Sequence, residues 1–167
     1  MIIGIGGCSN SGKSGLAEQI NNFFTVKRVK VLCQDDFVKR RNFLTKINGH
    51  VNWELPSTIK FDEYLNAVKK ASSKYDIVIC EGLFAFWFEE LNKLYDKRIF
   101  LNTGKKTFVK RKKKDLRWGK EPDWYIEHIW QSYLKYGTFK DTENLLILNA
   151  EQEIDLTEVI SFINLDI

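Results

Sequence analysis

A glycine-rich motif near the N-terminus, GCSNSGKS at positions 7–14, constrains the fold more than any other part of this chain. It matches the pattern G-x-x-x-x-G-K-[ST] at every fixed position. An apolar run at residues 2–5 precedes the motif, as a strand would. The residues after it carry apolar side chains at helical spacing, at Leu16, Ile20, Phe23 and Phe24. Strand, glycine-rich turn and helix together form the framework that turns backbone N–H groups toward phosphates.

The motif also assigns chemistry to its side chains. Lys13 can reach the β- and γ-phosphate oxygens of a nucleoside triphosphate, and the Ser14 hydroxyl can bind Mg²⁺. The predicted ATP-binding residues are Gly7, Cys8, Ser9, Asn10, Ser11, Gly12, Lys13 and Ser14. The guanine-reading Asn-Lys-x-Asp of GTPases is not matched at residues 102–105, which read NTGK. A chain of 167 residues is also too short for a large mechanical ATPase, which leaves a compact kinase of a small metabolite.

Strand-like and helix-like segments alternate along the chain. Five apolar runs predict strands, at residues 2–5, 29–32, 75–80, 98–101 and 145–148. Helices are predicted between and after them, the second opening at Pro56 and the third at about Lys105. This alternation predicts an α/β fold: a P-loop NTPase three-layer sandwich with a five-stranded parallel sheet, in a single domain spanning residues 1–167.

Acidic residues follow two of the predicted strands. Asp35 and Asp36 end the second strand, and Glu81 ends the third. Because ligands of parallel α/β sheets bind beyond the C-terminal strand ends, these carboxylates are expected beside the phosphate loop. Asp35 is the candidate base for the acceptor hydroxyl, while Ser14, Asp35 and Glu81 are candidate ligands of Mg²⁺ or its waters. The alternative roles are a helix cap or exposed turn for the aspartates, and a solvated strand end for Glu81.

The positive charge of the chain is concentrated in one segment. The net charge is +4, and basic residues cluster at Lys105, Lys106, Lys110, Arg111, Lys112, Lys113, Lys114, Arg117 and Lys120. Such a cluster attracts the phosphates of a nucleotide or of a nucleic acid, and by itself does not distinguish them. No recognised nucleic-acid module accompanies it, which favours the nucleotide and predicts that no nucleic acid is bound.

Cysteine usage and hydropathy predict a cytoplasmic protein. Cys8, Cys33 and Cys80 lie far apart in or beside apolar runs, as expected of buried free thiols in a reducing compartment. No apolar run approaches the length that crosses a bilayer, and no signal-like segment is found at the N-terminus, so no membrane association is expected.

Several further segments carry a family resemblance. They are, in order after the phosphate loop, QDDF at 34–37, NWE at 52–54, EG at 81–82 and HIWQSYLKY at 128–136. With the phosphate loop, this series resembles the nicotinamide riboside kinases, which belong with the uridine kinase-like P-loop kinases. The likeness covers nearly the whole chain.

The resemblance implies ATP- and Mg²⁺-dependent phosphorylation of the ribose 5′-hydroxyl of nicotinamide riboside, giving nicotinamide mononucleotide. It implies catalytic roles for Lys13, Asp35 and Glu81, with Asp35 accepting the proton. Contacts to the riboside are implied at Asp35, Asp36, Phe37, Trp53, Glu54, Lys112 and Trp118. A substrate-covering segment is expected at about residues 38–60. A basic lid is expected at about residues 110–124, with Arg111 and Arg117 on the nucleotide.

The sequence departs from the family pattern at several positions and leaves alternatives open. Most lid arginines of the family are lysines here, and Trp53-Glu54 stands where Tyr-Asp is expected. The alternatives are a kinase of uridine or of another hydroxylated metabolite, a nucleic-acid-binding NTPase, and a non-catalytic nucleotide-binding module. His128 is expected to pack or donate hydrogen bonds rather than to catalyse. A monomer or a homodimer is expected.

Overall fold

The computed structural model describes residues 1–117, 119–140 and 142–164. Strands and helices follow one another as β1 (Ile2–Gly7), α1 (Lys13–Phe23), β2 (Val29–Cys33), β3 (Lys46–Ile47), β4 (His50–Val51), α2 (Phe61–Ser72), β5 (Ile77–Glu81), α3 (Glu89–Asn92), β6 (Lys97–Asn102), α4 (Lys105–Lys114), α5 (Asp123–Tyr136), β7 (Leu145–Asn149) and α6 (Leu156–Asn164). Within these ranges, each helix falls short of the combination of length and apolarity that a bilayer crossing requires.

The main sheet has five strands in the order β2-β5-β1-β6-β7, and every pairing in it is parallel. The five-stranded parallel sheet predicted from the sequence is therefore confirmed. Its central strand β1 lies between β5 and β6, which places the C-terminal ends of β1, β2 and β5 side by side. The register pairs Glu81 with Ile5 on one side and with Cys33 on the other.

Two apolar cores cover the two faces of the sheet and create three layers. One core packs α1 and α6 against alternate residues of β1, including Ile3 and Ile5. The opposite core packs α2 and α5 against the other face and contains large aromatic side chains. These aromatics explain the glycines of β1, because a Cβ at Gly4 would lie 2.6 Å from the ring of Tyr95.

The structure corrects two element boundaries and one burial expected from the sequence. Residues Pro56–Thr58 form a short 3₁₀ turn, and α2 begins only at Phe61, because the chain is extended at Ile59, where it bridges Val38. The third main strand begins at Ile77 rather than at residue 75. Phe24 is buried but Phe23 is 51% exposed, so only one of the two completes the apolar stripe of α1.

A small hairpin lies within residues 38–60. Strands β3 and β4 pair antiparallel across Asn48 and Gly49, which both have positive φ, 48° and 81°. Asn-Gly is the favoured dipeptide for such a type I′ turn. After the hairpin, residues 51–54 are hydrogen-bonded to α5.

Candidate active site

The phosphate loop is held by hydrogen bonds to one of its own backbone carbonyls. Gly12 has a φ of 100°, a left-handed conformation that glycine adopts without strain, and it begins α1. The N–H of Ser11 donates to the carbonyl of Cys8 at 3.2 Å. Lys13 Nζ donates to the same carbonyl at 2.9 Å, so the lysine lies across the loop. Ser11 and Lys13 of the predicted motif are therefore both hydrogen-bonded to the carbonyl of Cys8.

Cys8 contributes to this loop by packing. Its side chain is fully buried, and desolvation raises the pKa of the thiol above its usual value. A thiol with a raised pKa stays protonated near neutral pH and is a poor nucleophile. Cys8 is therefore a structural residue of the loop.

Glu81 and Ser14 meet at the centre of the site. The Ser14 hydroxyl donates to Oε1 of Glu81 at 2.8 Å, and Glu81 is 3% exposed. A hydroxyl and a carboxylate are hard oxygen donors of the kind that Mg²⁺ uses together with substrate phosphates and water. Across the described ranges, no group of three or more His, Cys, Asp or Glu residues could hold a metal alone.

Asp35 lies in a 3₁₀ turn, Gln34–Phe37, directly after β2. Its side chain is exposed, yet surrounding protein desolvates it enough to raise its pKa, and Glu81 and Asp36 raise the pKa further. Lys13 and Arg117 oppose this shift with positive charge. A carboxylate with a raised pKa takes a proton more readily. The structure thus brings Asp35, Lys13 and Glu81 into one electrostatic environment.

Gln34 fixes the turn that carries Asp35. It is 1% exposed, and its side-chain oxygen accepts the N–H of Phe84 at 2.9 Å. The approach is possible only beside glycine, because a Cβ on Gly82 would lie 2.5 Å from Gln34 Cβ. Gln34 therefore joins the turn after β2 to the loop after β5. The sequence places Gln34 in a motif but gives no signal for this role.

Asp36 and Phe37 differ in their surroundings. Asp36 is exposed at the cleft. Phe37 is half-buried and packs against Tyr64, with ring centroids 4.8 Å apart. Phe37 thus packs the turn that carries Asp35 against α2.

The segment that contains Trp53 is attached to α5 by a tyrosine. The hydroxyl of Tyr125 donates to the carbonyl of Val51 at 3.0 Å and accepts the N–H of Trp53 at 3.4 Å. The side chain of Trp53 itself remains 42% exposed, so part of its aromatic surface is open to a ligand.

A second pair of contacts fixes the same segment one turn further along α5. Nε2 of His128 lies 2.9 Å from Oδ1 of Asn52, and the hydroxyl of Ser132 donates to the carbonyl of Glu54. Oδ1 of Asn52 also accepts the N–H of Glu54 at 3.1 Å, so this oxygen is the acceptor and Nε2 of His128 is the donor. Burial lowers the pKa of the His128 imidazole. His128 thus makes a hydrogen bond, as expected from the sequence, and α5 is the helix that holds residues 51–54.

Glu54 has the most perturbed carboxyl of the cleft. Desolvation raises its pKa to about 7, with Glu121 and Asp35 adding to the shift and Lys112 opposing it. Lys112 is itself engaged, because its Nζ lies 3.0 Å from Oε2 of Glu121 in a largely buried ion pair. The sequence places Lys112 on the riboside, whereas the structure gives it a carboxylate partner that sequence reasoning missed.

The two arginines of the predicted lid have different partners. Arg111 donates to the carbonyl of Asn10 at 3.3 Å and to that of Ala150, after β7, at 2.6 Å. Arg117 lies within the electrostatic influence of Asp35 and is paired with Asp115. Trp118, expected on the riboside, lies outside the described residues.

Comparison with curated proteins confirms the resemblance found in the sequence. The chain is 24% identical over 152 residues to human nicotinamide riboside kinase 1, covering 81% of this chain and 75% of that protein. It is 30% identical over 129 residues to a uridine kinase of Chlamydia pneumoniae, covering 62% and 58% respectively. No family model matches the chain.

Solved structures confirm the fold class. A sugar kinase from Janibacter superposes with a TM-score of 0.68 at 15% identity, covering 99% of this chain and 95% of that one. Shikimate kinase from Bacteroides thetaiotaomicron superposes with a TM-score of 0.60 at 21% identity, covering 98% and 94%. At these identities the likeness establishes the P-loop kinase fold alone.

Proposed function

We propose that this chain is an ATP-dependent kinase that phosphorylates the ribose 5′-hydroxyl of nicotinamide riboside, giving nicotinamide mononucleotide. The observation that carries the proposal is the meeting of three strand ends. The phosphate loop after β1, Asp35 after β2 and Glu81 at the end of β5 lie beside one another. Curated relatives named nicotinamide riboside kinase support the choice of acceptor.

The residues divide the chemistry of phosphoryl transfer between them. The acceptor oxygen attacks the γ-phosphorus, the bond to the ADP oxygen breaks, and Asp35 takes the hydroxyl proton. Lys13 and Arg117 supply positive charge to the transferring group. Ser14 and Glu81 would hold Mg²⁺, which neutralises phosphate charge when it is bound.

The two residues predicted to contact the acceptor, Trp53 and Glu54, suit a substrate that carries a cationic ring. Nicotinamide riboside carries a positively charged pyridinium, and tryptophan offers the strongest aromatic face for a cation. Trp53 presents such a face, and the neighbouring Glu54 can bind ribose hydroxyls and adds negative charge when ionised. A cation–π contact contributes about 0.5–2 kcal/mol, which is about 2- to 30-fold in affinity.

Uridine is the second candidate acceptor, because other curated relatives are named uridine kinase. It is neutral, so it gains stacking on Trp53 without the cation contribution. The two candidates therefore differ in their dependence on one side chain.

A coupled ADP-release assay over nucleosides, centred on nicotinamide riboside and uridine, tests the proposal. Nicotinamide riboside should give the highest kcat/KM. Trp53→Leu should raise its KM by about 2- to 30-fold, and that of uridine by less, while Trp53→Phe retains most of the affinity. A higher kcat/KM with uridine would replace the acceptor, and equal losses for both substrates would remove the charge-based argument.

The proposal also covers partners and location. We infer a cytoplasmic single-domain protein, acting as a monomer or homodimer on a nucleoside and ATP, with no nucleic-acid partner. Acidic residues support the last point, because they neutralise part of the lysine cluster. Lys105 lies 2.8 Å from Glu127, and Lys113 lies 2.9 Å from Asp123.

A further inference from the structure

Asp115 links the phosphate loop to the lid. It follows α4 directly, and its carboxylate accepts the side-chain N–H of Asn10 at 2.9 Å. The same carboxylate accepts Nε of Arg117 at 2.8 Å and Nη2 of Arg117 at 2.7 Å. These donors hold the pKa of Asp115 well below its usual range, so it is ionised near neutral pH. No sequence motif marks this residue.

The pair is arranged so that Asp115 is enclosed and Arg117 is open. The Asp115 side chain is 8% exposed, whereas that of Arg117 is 71% exposed. Two parallel N–H···O bonds fix the plane of a guanidinium, which a single bond does not. Of the five N–H groups of an arginine, about three stay free for phosphate oxygens. The carboxylate therefore orients Arg117 without using all of its donors.

An unpaired carboxylate at the position of Asp115 would be electrostatically unfavourable. Asn10 belongs to the loop that is predicted to bind phosphates, so a bare negative charge next to it would repel a triphosphate. Asp115 is tolerable there only because Arg117 and the amide of Asn10 compensate it. Its charge therefore benefits nucleotide binding only through Arg117.

We propose that Asp115 is a positioning residue that holds the guanidinium of Arg117 over the phosphate loop, in register with the transferring phosphoryl group. This inference rests on the proposed kinase function where turnover is concerned. It does not depend on the identity of the acceptor, because Asn10 belongs to the phosphate loop and Arg117 is predicted to contact the nucleotide.

A double-mutant cycle between Asp115 and Arg117 tests the inference. The variants are Asp115→Ala, Arg117→Ala and their combination, with Asp115→Asn as the version that keeps the shape. Two quantities are measured: kcat with the best acceptor, and the Kd of a non-hydrolysable ATP analogue with Mg²⁺. The analogue arm stays readable even if no nucleoside is phosphorylated, so failure of the proposed function and failure of this inference are distinguishable.

Asp123→Ala is the matched control. It removes another lid-side carboxylate, which pairs with Lys113 at 2.9 Å on the exposed surface. It should leave kcat and Kd within about twofold of wild type, because exposed ion pairs contribute little. Thermal melting of each variant verifies folding, and Asp115→Asn replaces Asp115→Ala in the cycle if the alanine variant unfolds.

The expected result is strong coupling. Asp115→Ala should lower kcat by about 10- to 100-fold, the loss typical of a displaced electrostatic group. In the Arg117→Ala background the same change should leave kcat within about twofold, and should leave analogue binding unchanged or tighter, since only repulsion remains. Equal losses in both backgrounds would overturn the inference. So would a gain in kcat on removing Asp115, which would mean that the carboxylate holds Arg117 away from the phosphates.

Discussion

Replacing Gly82 with alanine should destabilise the protein and damage catalysis through one local clash. The added Cβ would lie 2.5 Å from both Cβ and Oε1 of Gln34, which is far inside van der Waals contact. Gln34 is 1% exposed and its oxygen is bonded to the N–H of Phe84, so the side chain has no free space to enter. The strain must therefore move the turn that carries Asp35.

The magnitude follows from two contributions. Overpacking of a tight interior costs about 1–3 kcal/mol. Loss of the bond to Phe84 would leave a buried N–H unsatisfied and cost about 1–3 kcal/mol more. We expect at least about 2 kcal/mol of lost unfolding free energy, which for a chain of this size is about 4–8 °C in Tm. Since Asp35 is the next residue after Gln34, kcat should fall by about tenfold or more.

Gly15→Ala supplies the control for the same chemical change. Gly15 is exposed in α1, and a Cβ there meets nothing within 4 Å. In the ligand-free protein this substitution should be neutral or stabilise by up to about 1 kcal/mol, because alanine favours helix. Urea unfolding and thermal melting measure both variants. Equal stability of the two would refute the argument that Gly82 is required by the approach of Gln34.

Two further predictions concern the carboxylates of the cleft. Asp35→Asn should lower kcat by about 10²–10⁴-fold with little change in ATP affinity, because the amide cannot take the proton. Steady-state kinetics measures kcat, and nucleotide titration measures the affinity for ATP. A kcat within a few-fold of wild type would place the base elsewhere. The pKa of Glu54 is about 7 in the folded protein, against an ordinary value of 4.5. The folded state therefore binds this proton more tightly than the unfolded state. The resulting contribution to stability is present at low pH and is lost as pH rises from about 4.5 to about 7. Urea unfolding should therefore show that Glu54→Gln loses less unfolding free energy than wild type between about pH 5 and about pH 8. The same dependence of unfolding free energy on pH in both proteins would contradict the raised pKa of Glu54.

Local rules explain how much of the site the sequence predicts. The phosphate loop is contiguous, so its eight residues carry their own geometry. Asp35 and Glu81 are far apart in the chain, but the rule that parallel strands end at one edge brings them to the loop without knowledge of any contact. The hairpin of β3 and β4 also follows from a local rule, because Asn48-Gly49 is a strong signal for its turn.

By itself the sequence determined the P-loop fold, the strand ends and the residues placed there, since periodicity and a contiguous motif act over short distances. Only the tertiary structure decided which partners these groups meet. Asn10 and Asp115 are 105 residues apart, and Asn52 and His128 are 76 apart. Many acids and amides in the chain could satisfy such bonds, and the choice is made by the packing of helices on the sheet. The pairing of Lys112 with Glu121 is a further example, because it depends on how the two side chains are buried together and not on the pattern of charges along the sequence.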